Sequence, residues 1–269
     1  MPQAFFTMKI LFLTLYLTVG LCAVASQPRA HKHNISESGT ERQIKIDSIA
    51  DNPTLFADTI IRLTDEDYQE VAQRLGVETA AMKAVVDIEA GASHQGFSAP
   101  EKPIINFDRT MFRRFAGRKG INLAKYRTSH AEVFSAVNPR RYGSTQAAQH
   151  ARLRKARSID ERTAVESTFW GMFQIGGFNW KKCGATSIED FVTKMCRSER
   201  DQLELFANFL QNTGLDKYLK AKNWAAFSKG YNGPGYAKRR YHTRMANAYA
   251  KHKKGEQSTA KESSAQKKP

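Results

Sequence analysis

From Thr64 to about Lys251 apolar residues recur at helical spacing, and a strand-like pattern interrupts them between Gly91 and Arg109. A chain patterned in this way has few options: packed helices around one core, with one small β element inserted. The helical signals are specific. Thr64-Asp65-Glu66-Asp67 reads as an acidic cap ahead of Tyr68, Val71, Ala72 and Leu75, and Gly76 ends that period. A second helix is expected over Val77 to Ala90, with Met82, Val85, Val86 and Glu89 toward one side and Gly91 as its stop. Pro103-Ile104-Ile105-Asn106-Phe107-Asp108 then carries the strand signal, so a short hairpin is expected just after Glu89. Further helices are expected at Thr110 to Ala116, Thr145 to Arg157, from a Ser158-Ile159-Asp160-Glu161 capping box toward Phe169, Ser187 to Arg197, Ser198 to Asn212, Trp224 to Gly230 and Tyr236 to Lys251. The fold class is therefore mainly α (α+β), a helical bundle with one small β-hairpin.

The ends of the chain read differently. Ile10 to Leu21 is apolar, follows Lys9 and leads to Ala23-Val24-Ala25, the arrangement of a secretory signal cut after Ala25. Met8-Lys9 is a more conventional start for such a signal than Met1. Residues 26–58 are polar and aperiodic, as in a flexible leader, which leaves 59–252 for the folded domain. Residues 253–269 are rich in Lys, Ser, Gln and Ala without an apolar period, as in a solvated basic tail. The localisation implied is secreted or periplasmic.

The formal net charge is +16 over 269 residues, and the presumptive signal holds only Lys9 of it. Such a surface seeks an anionic partner, and charge alone does not separate wall polymers, lipid headgroups and nucleic acid. Export disfavours nucleic acid, and neither a recognition-helix motif nor strands with interleaved basic and aromatic residues support it. Weak electrostatic attraction to anionic cell-wall polymers remains, and a monomer is expected.

Cys22 leaves with the signal, so Cys183 and Cys196 remain. An oxidising compartment invites a bridge between them. Against it, a helix from the Ser187 cap to Cys196 is about 13 Å long, and its approach would have to fold straight back to bring the Cα atoms within about 7 Å. Two buried thiols are preferred. His94, His130, His150 and His242 have no metal-ligand spacing, alone or with the cysteines, and no Gly-rich phosphate loop follows a strand. No cofactor is expected.

Four motifs carry chemistry: Asp87-Ile88-Glu89-Ala90-Gly91, Ile105-Asn106-Phe107-Asp108-Arg109, Trp170-Gly171-Met172-Phe173-Gln174-Ile175-Gly176-Gly177-Phe178-Asn179, and Tyr231-Asn232-Gly233-Pro234-Gly235-Tyr236. In this order the chain from about Leu63 to His252 resembles the N-acetylmuramidase family of phage-endolysin type, within the lysozyme-like superfamily. The third and fourth motifs also look like those of lytic transglycosylases. The resemblance implies a glycosidase that cleaves the β-1,4 bond between N-acetylmuramic acid and N-acetylglucosamine in peptidoglycan glycan strands, with Glu89 as general acid. The residues agree, because a carboxyl at the end of a helix packed with Val85, Val86 and Ile88 is partly desolvated and so inclined to hold a proton.

Asp108 stands where relatives often carry Glu. It suits a base that activates water from the opposite face, and it equally suits an ion pair with Arg109 or Arg113. In the third motif the resemblance implies that Gly171 admits a close backbone approach to substrate and that the Gln174 amide contacts an N-acetyl sugar; a buried helix with one satisfied Gln is the plainer alternative. In the fourth, Gly and Pro fix a tight loop from which Tyr231 and Asn232 face outward toward sugar. Ser167 and Asn179 are candidates for the groove wall, and Trp170 is either wall or core. Two other outcomes stay open: a lytic transglycosylase, in which the muramic acid's own 6-hydroxyl attacks and leaves a 1,6-anhydro end, and an inactive wall-binding module.

Overall fold

The computed structural model describes residues 60–90, 95–138 and 144–266. The expected signal, the polar leader, Gly91, His94 and the last three residues lie outside the described residues.

Helix α1 (Asp65–Leu75) begins at a reciprocal cap in which the Thr64 side chain accepts from the Asp67 amide and the Asp67 side chain accepts from the Thr64 amide. Helix α2 (Thr79–Glu89) is apolar on nearly every side, with Ala80, Ala81, Met82, Ala84, Val85 and Val86 all buried. It is the central rod of the bundle. It packs on α1 and on the last helix, α11 (Tyr241–Gln266).

The β structure is more extensive than the sequence implies. Strands β1 (Phe97–Ala99) and β2 (Lys102–Pro103) form the expected hairpin. Strand β3 (Ile105–Phe107) leaves that hairpin and joins a separate antiparallel sheet in the order β3-β4-β5, with β4 (Thr168–Trp170) in the middle and β5 (Ile175–Gly176) beyond it. Ile105 pairs with Trp170 and Phe107 with Thr168. Strands of two or three residues are too short to show a period of two, so β4 was illegible at the end of a run that reads as a helix toward Phe169, and β5 within the third motif. The outer edge of β3 is covered by side chains: Gln146 Oε1 accepts from the Ile105 amide at 2.8 Å, and Gln149 Oε1 from the Phe107 amide at 3.0 Å. Both glutamines stand on α5 (Gln146–Arg157).

Helices α3 (Arg109–Arg118) and α4 (Ala131–Phe134) precede α5, and α6 (Glu161–Glu166) follows it. The cap of α6 is Asp160, whose carboxylate accepts from the Thr163 amide at 2.7 Å, rather than Ser158. Helix α6 stops at Ser167, so Thr168 to Trp170 are strand where the sequence pattern continued the helix. Beyond the sheet come α7 (Ile188–Arg197), α8 (Glu199–Thr213), α9 (Asp216–Lys220) and α10 (Trp224–Asn232), with Ser187 and Ser198 capping α7 and α8 as their positions imply. The core is aromatic at its centre, with Phe112, Trp170, Phe173, Phe191, Phe206 and Phe227 fully buried.

Cys183 and Cys196 are free thiols, and burial pushes each up to about 12. Helix α11 runs on to Gln266, through residues whose composition reads as an unstructured tail. Once its packed first half has formed, each added residue costs little nucleation, and Ala, Lys, Glu and Gln all propagate well.

Candidate active site

Glu89 is the last residue of α2 and is 8 % exposed. Its place follows from the helix: the apolar neighbours that bury α2 carry its final turn inward and take the carboxyl with it. Tyr231, on the last turn of α10, is the aromatic partner of this region. Burial first, then the charge of Glu89, then that of Cys183, raise the Tyr231 phenol well above its ordinary value. The Tyr231 hydroxyl donates to the carbonyl of Phe173 at 2.6 Å. Elements from the first, third and fourth motifs therefore converge.

The third motif is a turn between β4 and β5. Gly171 has φ 69° and Gln174 has φ 49°, and the Gln174 amide nitrogen donates to the Gly171 carbonyl at 3.1 Å. The Gln174 side chain is spent on the same turn, with Nε2 donating to the Gly171 carbonyl at 2.9 Å. The motif is a turn and not the buried helix of the plainer alternative, and Gln174 is half-buried within it. The glycine at 171 has two local reasons: its positive φ, and the Gln202 carboxamide, whose Oε1 would lie 2.7 Å from an added Cβ.

Two residues that sequence reasoning missed hold this turn from inside. Gln202 is fully buried; its Oε1 accepts from the Met172 amide at 2.9 Å, and its Nε2 donates to the carbonyls of Met195 at 2.9 Å and Gly96 at 3.3 Å. Glu199, 2 % exposed, accepts from the Gly96 amide at 2.8 Å, the Leu63 amide at 3.0 Å and Arg62 at 3.1 Å. Together they fasten the chain where it re-enters after Glu89 to the motif turn. Glu199 and Gln202 share one helical stripe with Phe206 and Leu210, and that stripe was the available signal.

Tyr231 does not face outward. Its ring stacks on Phe227 at 5.6 Å and meets the edges of Phe206 at 5.6 Å and Phe209 at 5.9 Å. Asn232 is 7 % exposed, and both atoms of its carboxamide are buried without a hydrogen-bond partner. The outward reading fails because these residues close α10, and the Gly-Pro-Gly loop begins only at Gly233. Ser167 is fully buried with its Oγ unpartnered, while its carbonyl accepts from the Asp108 amide at 2.9 Å. Trp170 is core, with its indole nitrogen donating to the Val165 carbonyl at 3.1 Å. Asn179 lies half-exposed at the end of a 3-10 turn, Gly177–Asn179.

Asp108 is the N-cap of α3. Its Oδ1 accepts from the amides of Thr110 at 2.8 Å and Met111 at 2.9 Å. The expected pairing with arginine is not made: Arg109 and Arg113 both donate to the Phe134 carbonyl at 3.1 Å. Asp87 bonds His252 Nε2 at 2.9 Å across the α2–α11 interface. Among the described residues no group of three or more His, Cys, Asp or Glu comes together as a metal site.

A mainly helical domain with a small sheet and a buried helix-terminal carboxylate is the lysozyme-like arrangement. Residues 78–253 match the Muramidase family, described as N-acetylmuramidase. Among solved structures the chain is similar to that of the Burkholderia AP3 phage endolysin, with 34 % identity over 72 % of each chain and a TM-score of 0.61. No curated protein matches it. The chain belongs to the N-acetylmuramidase family.

Proposed function

We propose that this protein degrades peptidoglycan by cutting the β-1,4 bond between N-acetylmuramic acid and N-acetylglucosamine, with Glu89 protonating the leaving oxygen. The observation that carries the reading is the buried Glu89 carboxyl beside Tyr231, whose hydroxyl is in turn fixed on the Phe173 carbonyl. A general acid must be held, not mobile, where the glycosidic oxygen arrives, and burial of Glu89 at the end of α2, close enough to Tyr231 to act on its phenol, supports that role. Of the other expected sugar contacts, Asn232 is best supported, because a buried carboxamide with neither end bonded is costly unless a substrate group or water completes it. Gln174, Tyr231, Ser167 and Asn179 act in this reading through the shape of the surrounding wall.

The attacking group has two readings. Water activated by Asp108 gives a reducing end. The cap bonds that occupy Asp108 Oδ1 favour the alternative, in which the muramic acid's 6-hydroxyl attacks and leaves a 1,6-anhydro end. Mass spectrometry of muropeptides released from purified sacculi separates the two by one water. In the same assay Glu89→Gln is expected to release at least ~10²-fold less. Near-normal release by that folded variant removes Glu89 from the mechanism, and sacculus binding without release by the wild type leaves only a wall-binding module.

The protein acts in this reading as an exported monomer without cofactor or nucleic acid. Amino-terminal sequencing of exported material is expected to begin at Ser26.

A further inference from the structure

The second half of the third motif, Gly176-Gly177-Phe178-Asn179, also carries a half-exposed aromatic ring, that of Phe178. It builds a surface of its own. Phe178 contacts Phe115 of α3 edge-on at 6.2 Å and Phe169 of β4 at 6.5 Å, and Trp180 follows at the end of the same 3-10 turn. A Cβ on Gly176 would lie 2.3 Å from the Phe178 Cε1, so the glycine is what lets the ring lie there. Phe115, Phe178 and Trp180 are all only half-buried.

Cations crown this platform. Arg114 and Arg118 lie 5.3 and 5.7 Å from the Phe115 ring centre, and Lys181 lies 5.2 Å from that of Trp180. The carboxylates nearby are already engaged, Glu166 by Arg162 at 2.9 Å and Asp160 by Lys119 at 2.8 Å. Arg114, Arg118 and Lys181 are exposed and take part in none of the ion pairs among the described residues.

We propose that this face is a second contact surface for an acidic glycan, with sugar faces on the rings and carboxylates on the cations. Half-exposed aromatic rings suit the apolar face of a pyranose, and unpaired cations that lie over those rings suit an acid carried by the same polymer. The proposal rests on the preceding reading only in naming glycan as the polymer. The surface does not include Glu89, Tyr231 or Asn232, so binding and cleavage are separable.

The test uses the full chain carrying Glu89→Gln, so that sacculi are bound and not cut. Arg114→Ala/Arg118→Ala/Lys181→Ala is expected to weaken binding to sacculi and to hyaluronate by at least about tenfold and to flatten the salt dependence. The charge-matched Lys217→Ala/Lys251→Ala/Lys254→Ala is expected to stay within about twofold, and equal weakening by both sets overturns the proposal in favour of net charge alone. Trp180→Ala is expected to weaken hyaluronate binding and leave polyphosphate binding unchanged. Equal losses on the two polymers overturn the glycan-stacking part and point to a phosphate polymer. Fragment release by the protein with Glu89 and this surface both intact reports on cleavage independently: its absence with binding retained counts against the proposed function and not against this surface.

Discussion

Tyr231 donates its hydroxyl proton to the carbonyl of Phe173 at 2.6 Å, and that bond ties the last turn of α10 to the turn between β4 and β5. The two residues are also linked through Phe206, on which Phe173 stacks at 4.2 Å and against which Tyr231 sets its edge. Tyr231→Phe keeps the ring contacts and strands a carbonyl. It is expected to lower unfolding free energy by about 1–2 kcal/mol in denaturant melts. Because the ring stays, binding of sacculi is expected to change less than the rate of fragment release. A variant as stable and as active as the wild type would show that the hydroxyl does not hold the site.

Asp108 offers a sharper discrimination. Asn caps a helix nearly as well as Asp, whereas Ala does not, so Asp108→Asn is expected to keep stability within a few tenths of a kcal/mol and Asp108→Ala to lose about 1 kcal/mol. If capping is its whole role, release of muropeptides by Asp108→Asn stays within about threefold of wild type. A loss of ~10² or more in that folded variant would instead make Asp108 the base.

These two residues also mark where sequence legibility ended. Helices were readable because their caps and periods are local: Thr64, Ser187 and Ser198 stand where the chain uses them. Glu89 was readable as the end of an apolar helix. The sheet was not, since β3 meets β4 across more than sixty residues in strands too short to carry a period. The direction of Tyr231 and Asn232 was misread for a related reason. Turn residues announce a loop but do not fix its first residue, and one step along a helix moves a side chain by about 100°. Glu199 and Gln202 looked like ordinary polar residues of a first turn, because what makes them special is Gly96 and Met172, which only the fold brings there.

Glu78 sets a pH dependence at the other end of α2. Hydrogen bonds from Lys222 and Lys253, together with that from Tyr249, hold its carboxyl down at about 2. A carboxyl depressed on folding adds stability above its unfolded value of about 4.3 and loses it as pH falls toward the folded one. The melting temperature of the wild type is therefore expected to fall more steeply than that of Glu78→Gln between pH 5 and about pH 2. Since the cluster joins α2 to α11, hydrogen exchange in α11 should rise first. Parallel pH curves for the two proteins would show that solvent screens the cluster to insignificance.

Gln202 makes the heaviest structural demand. Its carboxamide serves the Met172 amide and the carbonyls of Gly96 and Met195 from a position with no access to water. Gln202→Leu fills similar volume but takes away the partner of the Met172 amide and of the Met195 carbonyl, while the Gly96 carbonyl keeps the Ile104 amide at 2.7 Å; leaving even one buried group unsatisfied costs about 1–3 kcal/mol. The expected loss in chemical denaturation is therefore at least about 2 kcal/mol, larger than for Tyr231→Phe. Gln202→Glu is the finer probe, since it keeps the acceptor for Met172 and removes the donors to Gly96 and Met195. It is expected to fold, to bind sacculi within about threefold of wild type, and to release fragments more slowly, because a misplaced motif turn shifts the Phe173 carbonyl on which Tyr231 depends. Binding and release falling together would instead mean that Gln202 supports the fold as a whole and has no particular hold on the site.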